Sequence, residues 1–219
     1  MKIIQTLTFA ALLGSSAAQA ADFSFTGSFR QDDDVQLFSF NVGASSPNVL
    51  LRTWSYAGGV NAAGATIARG GFDPILALFD STGARIGQND DGGSNVAVDL
   101  SGARFDTYLE IGNLAAGQYT AAVMQFDNFS IGPNLSDGFT RTGQGNFTGS
   151  AAFQSTCANV PSFCDVSGNT TYNARTNAWA FDILGVESAA VATVPVPAAL
   201  PLMAAGLGLF GFFARRRTA

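Results

Sequence analysis

The sequence predicts an all-β protein, an antiparallel β-sandwich held between two targeting segments. Three features predict it. No stretch of the central region keeps a helical apolar period over about 11 residues. Short runs of strand formers recur there instead, with turn sequences roughly every 8–12 residues. The composition, with 25 Gly, 19 Phe and only 12% charged residues, supplies enough apolar surface for a core and argues against disorder.

The N-terminus, residues 1–20, reads as a secretory signal peptide. Lys2 supplies the positive end, residues 3–13 are mostly apolar, and Ala18-Gln19-Ala20 is a small-x-small site for signal peptidase. The sandwich is expected over residues 21–187. Phe23, Phe25 and Phe29 mark a first strand, followed by a turn-prone acidic run at 31–34. Residues 35–42 alternate, with Phe38, Phe40 and Val42 on one face. Residues 49–56 form another strand ending at Gly58-Gly59, and the Gly- and Ala-rich segment 57–71 reads as a crossover between sheets. Residues 74–79 are a continuous apolar run, as in a strand buried on both faces, with Pro74 at the first position where proline is tolerated. Asp80-Ser-Thr-Gly83 and Asn89-Asp-Asp-Gly-Gly93 are turn sequences. Residues 107–111 and 118–126 give two further strands, and residues 179–184 a closing one.

Residues 128–178 read as a loop-rich insertion, dense in Asn, Gly, Ser and Thr. They hold both cysteines, Cys157 and Cys164. In an exported chain the pair points to a local disulfide, which fits better than a redox or zinc pair because the spacing is not CxxC and no histidine is present.

The charge and the absent residue types limit function. All 16 acids and seven arginines fall in the body, giving it a net charge of −9 and no lysine, which argues against nucleic-acid binding. With no histidine, Ser-His-Asp hydrolysis, Cys-His chemistry and HExxH zinc sites are excluded, and no catalytic residues are assigned. No cofactor is assigned; calcium is the ion that the clustered loop carboxylates would suit if any is bound. Asp32, Asp33 and Asp34, with Asp90 and Asp91, are the candidate ligands if hairpin ends bring them together; the favoured reading is that these residues simply build turns. Asp80 and Asp99 are further acids of the same kind. Trp54, Tyr56, Tyr108, Tyr119 and Trp179 would serve either as core or as a sugar-stacking platform.

The C-terminal segment is a second address. A linker and sorting segment is expected over 188–197, and a transmembrane helix with a basic tail over 198–219. The uncharged residues 198–214 would span about 25 Å as a helix, close to the ~30 Å hydrocarbon core. Arg215, Arg216 and Arg217 would hold its end in the cytoplasm and leave the body outside. Val194, Pro195, Val196 and Pro197, the small-residue apolar stretch and the arginine cluster together resemble the PEP-CTERM sorting signal in its VPLPA-type variant. Val196 stands where the commoner form has Glu and the VPLPA form has Leu. The resemblance implies recognition by an exosortase, a membrane transpeptidase-like enzyme of Gram-negative bacteria. It also implies removal of the tail and display at the surface or release. The two prolines keep the segment extended outside the bilayer, the form in which proteolytic enzymes bind backbone.

Within the body, residues 70–83, 88–93 and 114–123 are similar to the bacterial pre-peptidase C-terminal domain. That resemblance, over roughly residues 23–126, implies a jelly-roll-like sandwich and speaks for fold more than for activity. The whole chain is therefore expected to be an exported surface or matrix protein with a structural or adhesive role and no catalytic activity. The alternative is a carbohydrate-binding module of exopolysaccharide or biofilm, with or without calcium.

Overall fold

The computed structural model describes residues 20–43, 48–166 and 170–192. The expected signal peptide, apart from an exposed Ala20, lies outside the described residues, as do the sorting segment from 193 onward and the expected transmembrane helix. Among the described residues no helix is long and apolar enough to cross a membrane.

Eleven strands follow in order: β1 (Ala21–Ser28), β2 (Val35–Val42), β3 (Asn48–Thr53), β4 (Gly59–Val60), β5 (Thr66–Ile67), β6 (Pro74–Phe79), β7 (Arg85–Asn89), β8 (Tyr108–Gly112), β9 (Gly117–Gln125), β10 (Ala178–Val186) and β11 (Ser188–Ala192). Nine of them build two antiparallel sheets, one in the order β1-β10-β3-β8 and the other in the order β11-β2-β9-β6-β7. Apart from the β6–β7 hairpin, successive long strands alternate between the sheets. Almost every pairing is therefore between strands distant in sequence.

The alternation read in β2 sets the core. Phe38, Phe40 and Val42 point between the sheets and pack with Leu76, Leu78 and Val123 of their own sheet and Val49, Leu51, Phe181 and Ile183 of the other. Trp179 is buried in the same core, and its ring lies over Gly27, its register partner, where a Cβ would collide with it. Strand β6 is buried at all six positions because the second sheet has a cover on its far face. There Leu37, Ile75, Ala77, Phe79, Ala122 and Met124 pack under Phe139, with Phe126, Phe129 and Leu135 beside it. These covering residues belong to the excursion after β9, which gives a continuous apolar strand two dry faces.

Two local structures depart from the expectation. Residues 188–192, read as the start of a linker, form the edge strand β11 paired along β2. Short, Ala-rich and without turn residues, the segment carries little strand signal of its own, and pairing with β2 decides its conformation. The segment 57–71 contains the small β4–β5 hairpin rather than a plain crossover. Within the excursion, three-residue 3-10 turns and the four-residue helix α1 (Gln154–Cys157) replace strands. Cys157 and Cys164 are joined in a disulfide with Cα atoms 5.9 Å apart.

Candidate functional site

The hairpin β6–β7 creates the densest group of acids. Its turn is fixed by Asp80, which accepts from the Thr82 N–H at 2.9 Å, the Thr82 hydroxyl at 2.6 Å and the Ala84 N–H at 3.0 Å. Pairing then proceeds to Leu76 opposite Asn89. Past that pair the open end of the hairpin carries Asp73, just before β6, on one side and Asp90 and Asp91, just after β7, on the other. One carboxylate oxygen from each of the three lies within 4.8 Å of the others.

This group is not neutralised by neighbours. Asp73 is 5% exposed, and its Oδ1 has no hydrogen-bond partner. The Oδ1 of Asp90 is buried and unpartnered as well. Among the described residues no arginine forms an ion pair with any of the three. Burial and then the nearby Asp90, Asp165, Asp91 and Asp106 drive the Asp73 carboxyl well above the ordinary aspartate range. Burial and Asp91 push Asp90 up to about 6. Asp91 is raised by burial and by Asp165. The turn that follows is tight: Gly92 donates to the Asp106 carbonyl at 2.8 Å, and a Cβ at Gly92 would sit 2.8 Å from the same oxygen. An oxygen-only donor set of this kind suits a hard cation.

The other expected ligands lie elsewhere. Asp32 is buried and fully used: it accepts from the Thr148 hydroxyl, from the Thr148 N–H at 2.9 Å and from the Phe163 N–H at 2.7 Å. Burial raises its carboxyl, and these donors oppose that. It pins the turn after β1 to the excursion. Asp34 accepts from the N–H groups of Arg30 at 2.6 Å and Gln31 at 3.2 Å, which closes its own turn. Asp33 and Asp34 line a surface cleft of about 590 Å³ with Phe29, Arg30, Phe139 and Thr142. The run 31–34 thus builds a turn, and the structure joins Asp90 and Asp91 to Asp73 instead. Asp73 carries a legible signal in hindsight. It stands immediately before the strand whose hairpin partner ends at Asn89, so the open end of the hairpin brings it near Asp90 and Asp91.

Asp99 belongs to a different arrangement. It accepts from Arg69 Nε at 2.7 Å and Arg69 Nη2 at 2.9 Å, and from Arg175 Nη2 at 3.0 Å. Asp106 is likewise committed, to the Thr53 hydroxyl at 2.9 Å and to the N–H groups of Tyr56 at 3.0 Å and Ala57 at 2.8 Å. These are internal braces.

The aromatic residues do not form an open platform. Trp179, Tyr56 and Tyr119 are buried. Trp54 donates its indole N–H to Asp182 at 2.7 Å, carries the Arg52 guanidinium 3.7 Å from its ring centre, and lies against Gly59. A sugar would have to displace Arg52 to stack there.

No curated protein matches the chain. Residues 193–217 match the PEP-CTERM protein-sorting motif. That segment follows the last residue of β11 directly, and it is the signal of an exported protein that is anchored transiently in a membrane and then released. The chain is thus identified by its address, as an exported protein sorted by an exosortase through a C-terminal PEP-CTERM motif.

Proposed function

We propose that this is a surface or extracellular-matrix protein of a Gram-negative bacterium whose β-sandwich has a structural or adhesive role and carries out no catalysis. On this reading signal peptidase removes residues 1–20, the helix at 198–214 holds the chain in the membrane, and the exosortase acts near Val194, Pro195, Val196 and Pro197. The sorting motif at 193–217 is the observation that carries the reading. The commitment of Asp32, Asp99 and Asp106 to internal hydrogen bonds and ion pairs supports a framework role. The jelly-roll-like, pre-peptidase C-terminal-like character of the body is part of the same proposal, supported by its two antiparallel sheets with alternating strand placement.

The test is intact-mass analysis and fractionation of the native protein, with and without alanine at positions 194–197. The expected result is a wild-type body starting near Ala21, shortened at the C-terminus and recovered with envelope or matrix material. The variant should stay full-length at that end and remain in the membrane. A cytosolic chain with its leader attached, or a variant processed like the wild type, overturns the proposal. Saturable glycan-array binding lost in Trp54→Ala would replace the structural role with carbohydrate recognition.

A further inference from the structure

We propose that Asp73, Asp90 and Asp91 form a calcium site that clamps the open end of the β6–β7 hairpin. The argument begins with Asp73. A carboxylate 95% buried with an orphaned oxygen is expensive, because the interior supplies neither water nor a counter-charge. Two more carboxylates face it within 4.8 Å, and one of them also has a buried, unpartnered oxygen. Where the same fold needs acids for bracing, it surrounds them: Asp32, Asp99 and Asp106 each accept three or more hydrogen bonds. Among the described residues the hairpin-end group has no such donors, which leaves a cation as the partner that would fit.

The donor chemistry selects the ion. Only oxygen is offered; the chain has no histidine, and both cysteines are in the disulfide. Zinc and copper are therefore disfavoured. Calcium takes oxygen ligands at about 2.4 Å in flexible geometry, and three carboxylate oxygens within 4.8 Å of one another are close enough to share one such ion. Magnesium requires about 2.1 Å and a near-ideal octahedron, which three carboxylates drawn from two chain segments satisfy less readily. The Gln125 side chain, 1% exposed and paired in register with Pro74, has another orphaned acceptor, Oε1, beside this end of the sheet. Water and backbone carbonyls would complete the six to eight ligands that calcium takes. An affinity in the range of extracellular calcium modules, about 0.1–1 mM, is expected for a three-carboxylate site.

The site concerns the folded body and does not depend on how the chain is sorted. It is tested on the exported protein, stripped with EDTA and returned to chelator-free buffer. Calcium at 5 mM should raise the thermal midpoint by roughly 3 °C or more over EDTA. Terbium should give saturable sensitised luminescence that calcium displaces. Asp91 is the exposed member and Asp90 is half-buried, so Asp90→Asn, which keeps the side chain's size, is the variant chosen to keep the fold. It should lose the calcium shift, while its midpoint in EDTA equals or exceeds that of the wild type because one repelling charge is gone. Asp73→Asn should behave alike. A midpoint indifferent to calcium, terbium that does not saturate, or a calcium shift that survives Asp90→Asn overturns the proposal. A shift of equal size with magnesium overturns the assignment to calcium.

Discussion

The guanidinium carbon of Arg175 lies 3.5 Å from the centre of the Tyr56 ring, with both side chains buried. The same arginine donates to Asp99, and the Tyr56 hydroxyl donates to Asp165, so one cation serves an aromatic face and two carboxylates at once. Arg175 comes from the excursion just before β10, whereas Tyr56 follows β3, which makes the contact a weld between distant segments.

Removing that cation leaves Asp99 and Asp165 buried without it. Arg175→Ala is expected to destabilise the protein by about 3–5 kcal/mol, the usual outcome of breaking one side of a buried ion pair. Urea unfolding followed by tryptophan fluorescence would measure it.

The same network sets the response to acid and base. Burial alone would raise the Asp99 carboxyl, but Arg69, Ser101 and Arg175 hold it well below the ordinary value of 3.8. Its contribution is complete above about pH 4 and is lost as pH falls through the lower folded value. Tyr56 behaves oppositely: burial and Asp165 raise its hydroxyl above the ordinary 10.0. Its contribution is present below about pH 10 and fades as pH rises further. Denaturant midpoints should fall at the alkaline end. At the acid end the Asp99 loss is read as the difference between wild type and Asp99→Asn, because the raised carboxyls of Asp73, Asp90 and Asp91 act in the opposite sense there. Asp99→Asn should be less stable at neutrality and show a smaller further loss below about pH 4.

Glycine substitutions should separate close backbone approach from mere absence of a side chain. A Cβ at Gly71 would lie 2.6 Å from the Ser55 carbonyl oxygen and closer still to that of Ala178. Neither carbonyl can swing away, so Gly71→Ala should cost about 3 kcal/mol, at the upper end for overpacking. At Gly87 the nearest atom is the flexible Leu109 Cδ2 at 3.3 Å, and Gly87→Ala should stay within about 1 kcal/mol of wild type. Thermal midpoints of the two variants decide the matter.

The Cys157–Cys164 bridge closes a short loop with a sequence separation of 7. Chain entropy then predicts a loss of about 2 kcal/mol in the Cys157→Ser, Cys164→Ser double variant, with the rest of the fold retained. Alkylation followed by mass measurement should find no free thiol until a reductant is added.

The strands with side-chain periodicity were legible in the sequence. Phe38, Phe40 and Val42 declared an inward face, and the unbroken apolar run 74–79 declared a strand covered twice. What covers it was not legible, because Phe129, Leu135 and Phe139 lie in a segment without strand or helix period and find their place only against the finished sheet. Strand β7 was missed for a related reason: Arg85, Gly87 and Gln88 lack strand propensity, and pairing to β6 makes the strand. The acids divided along the same line. Their abundance was visible, but whether an aspartate meets an N–H donor, as Asp32 does, or other carboxylates, as Asp73 does, depends on contacts across the sheet and excursion.

Strand β11 ends at Ala192 and the matched sorting motif begins at residue 193, so the two are contiguous in sequence. Any pull from the membrane end enters through the five residue pairs joining β11 to β2. That outermost pairing is therefore the first part of the sandwich to resist such a pull.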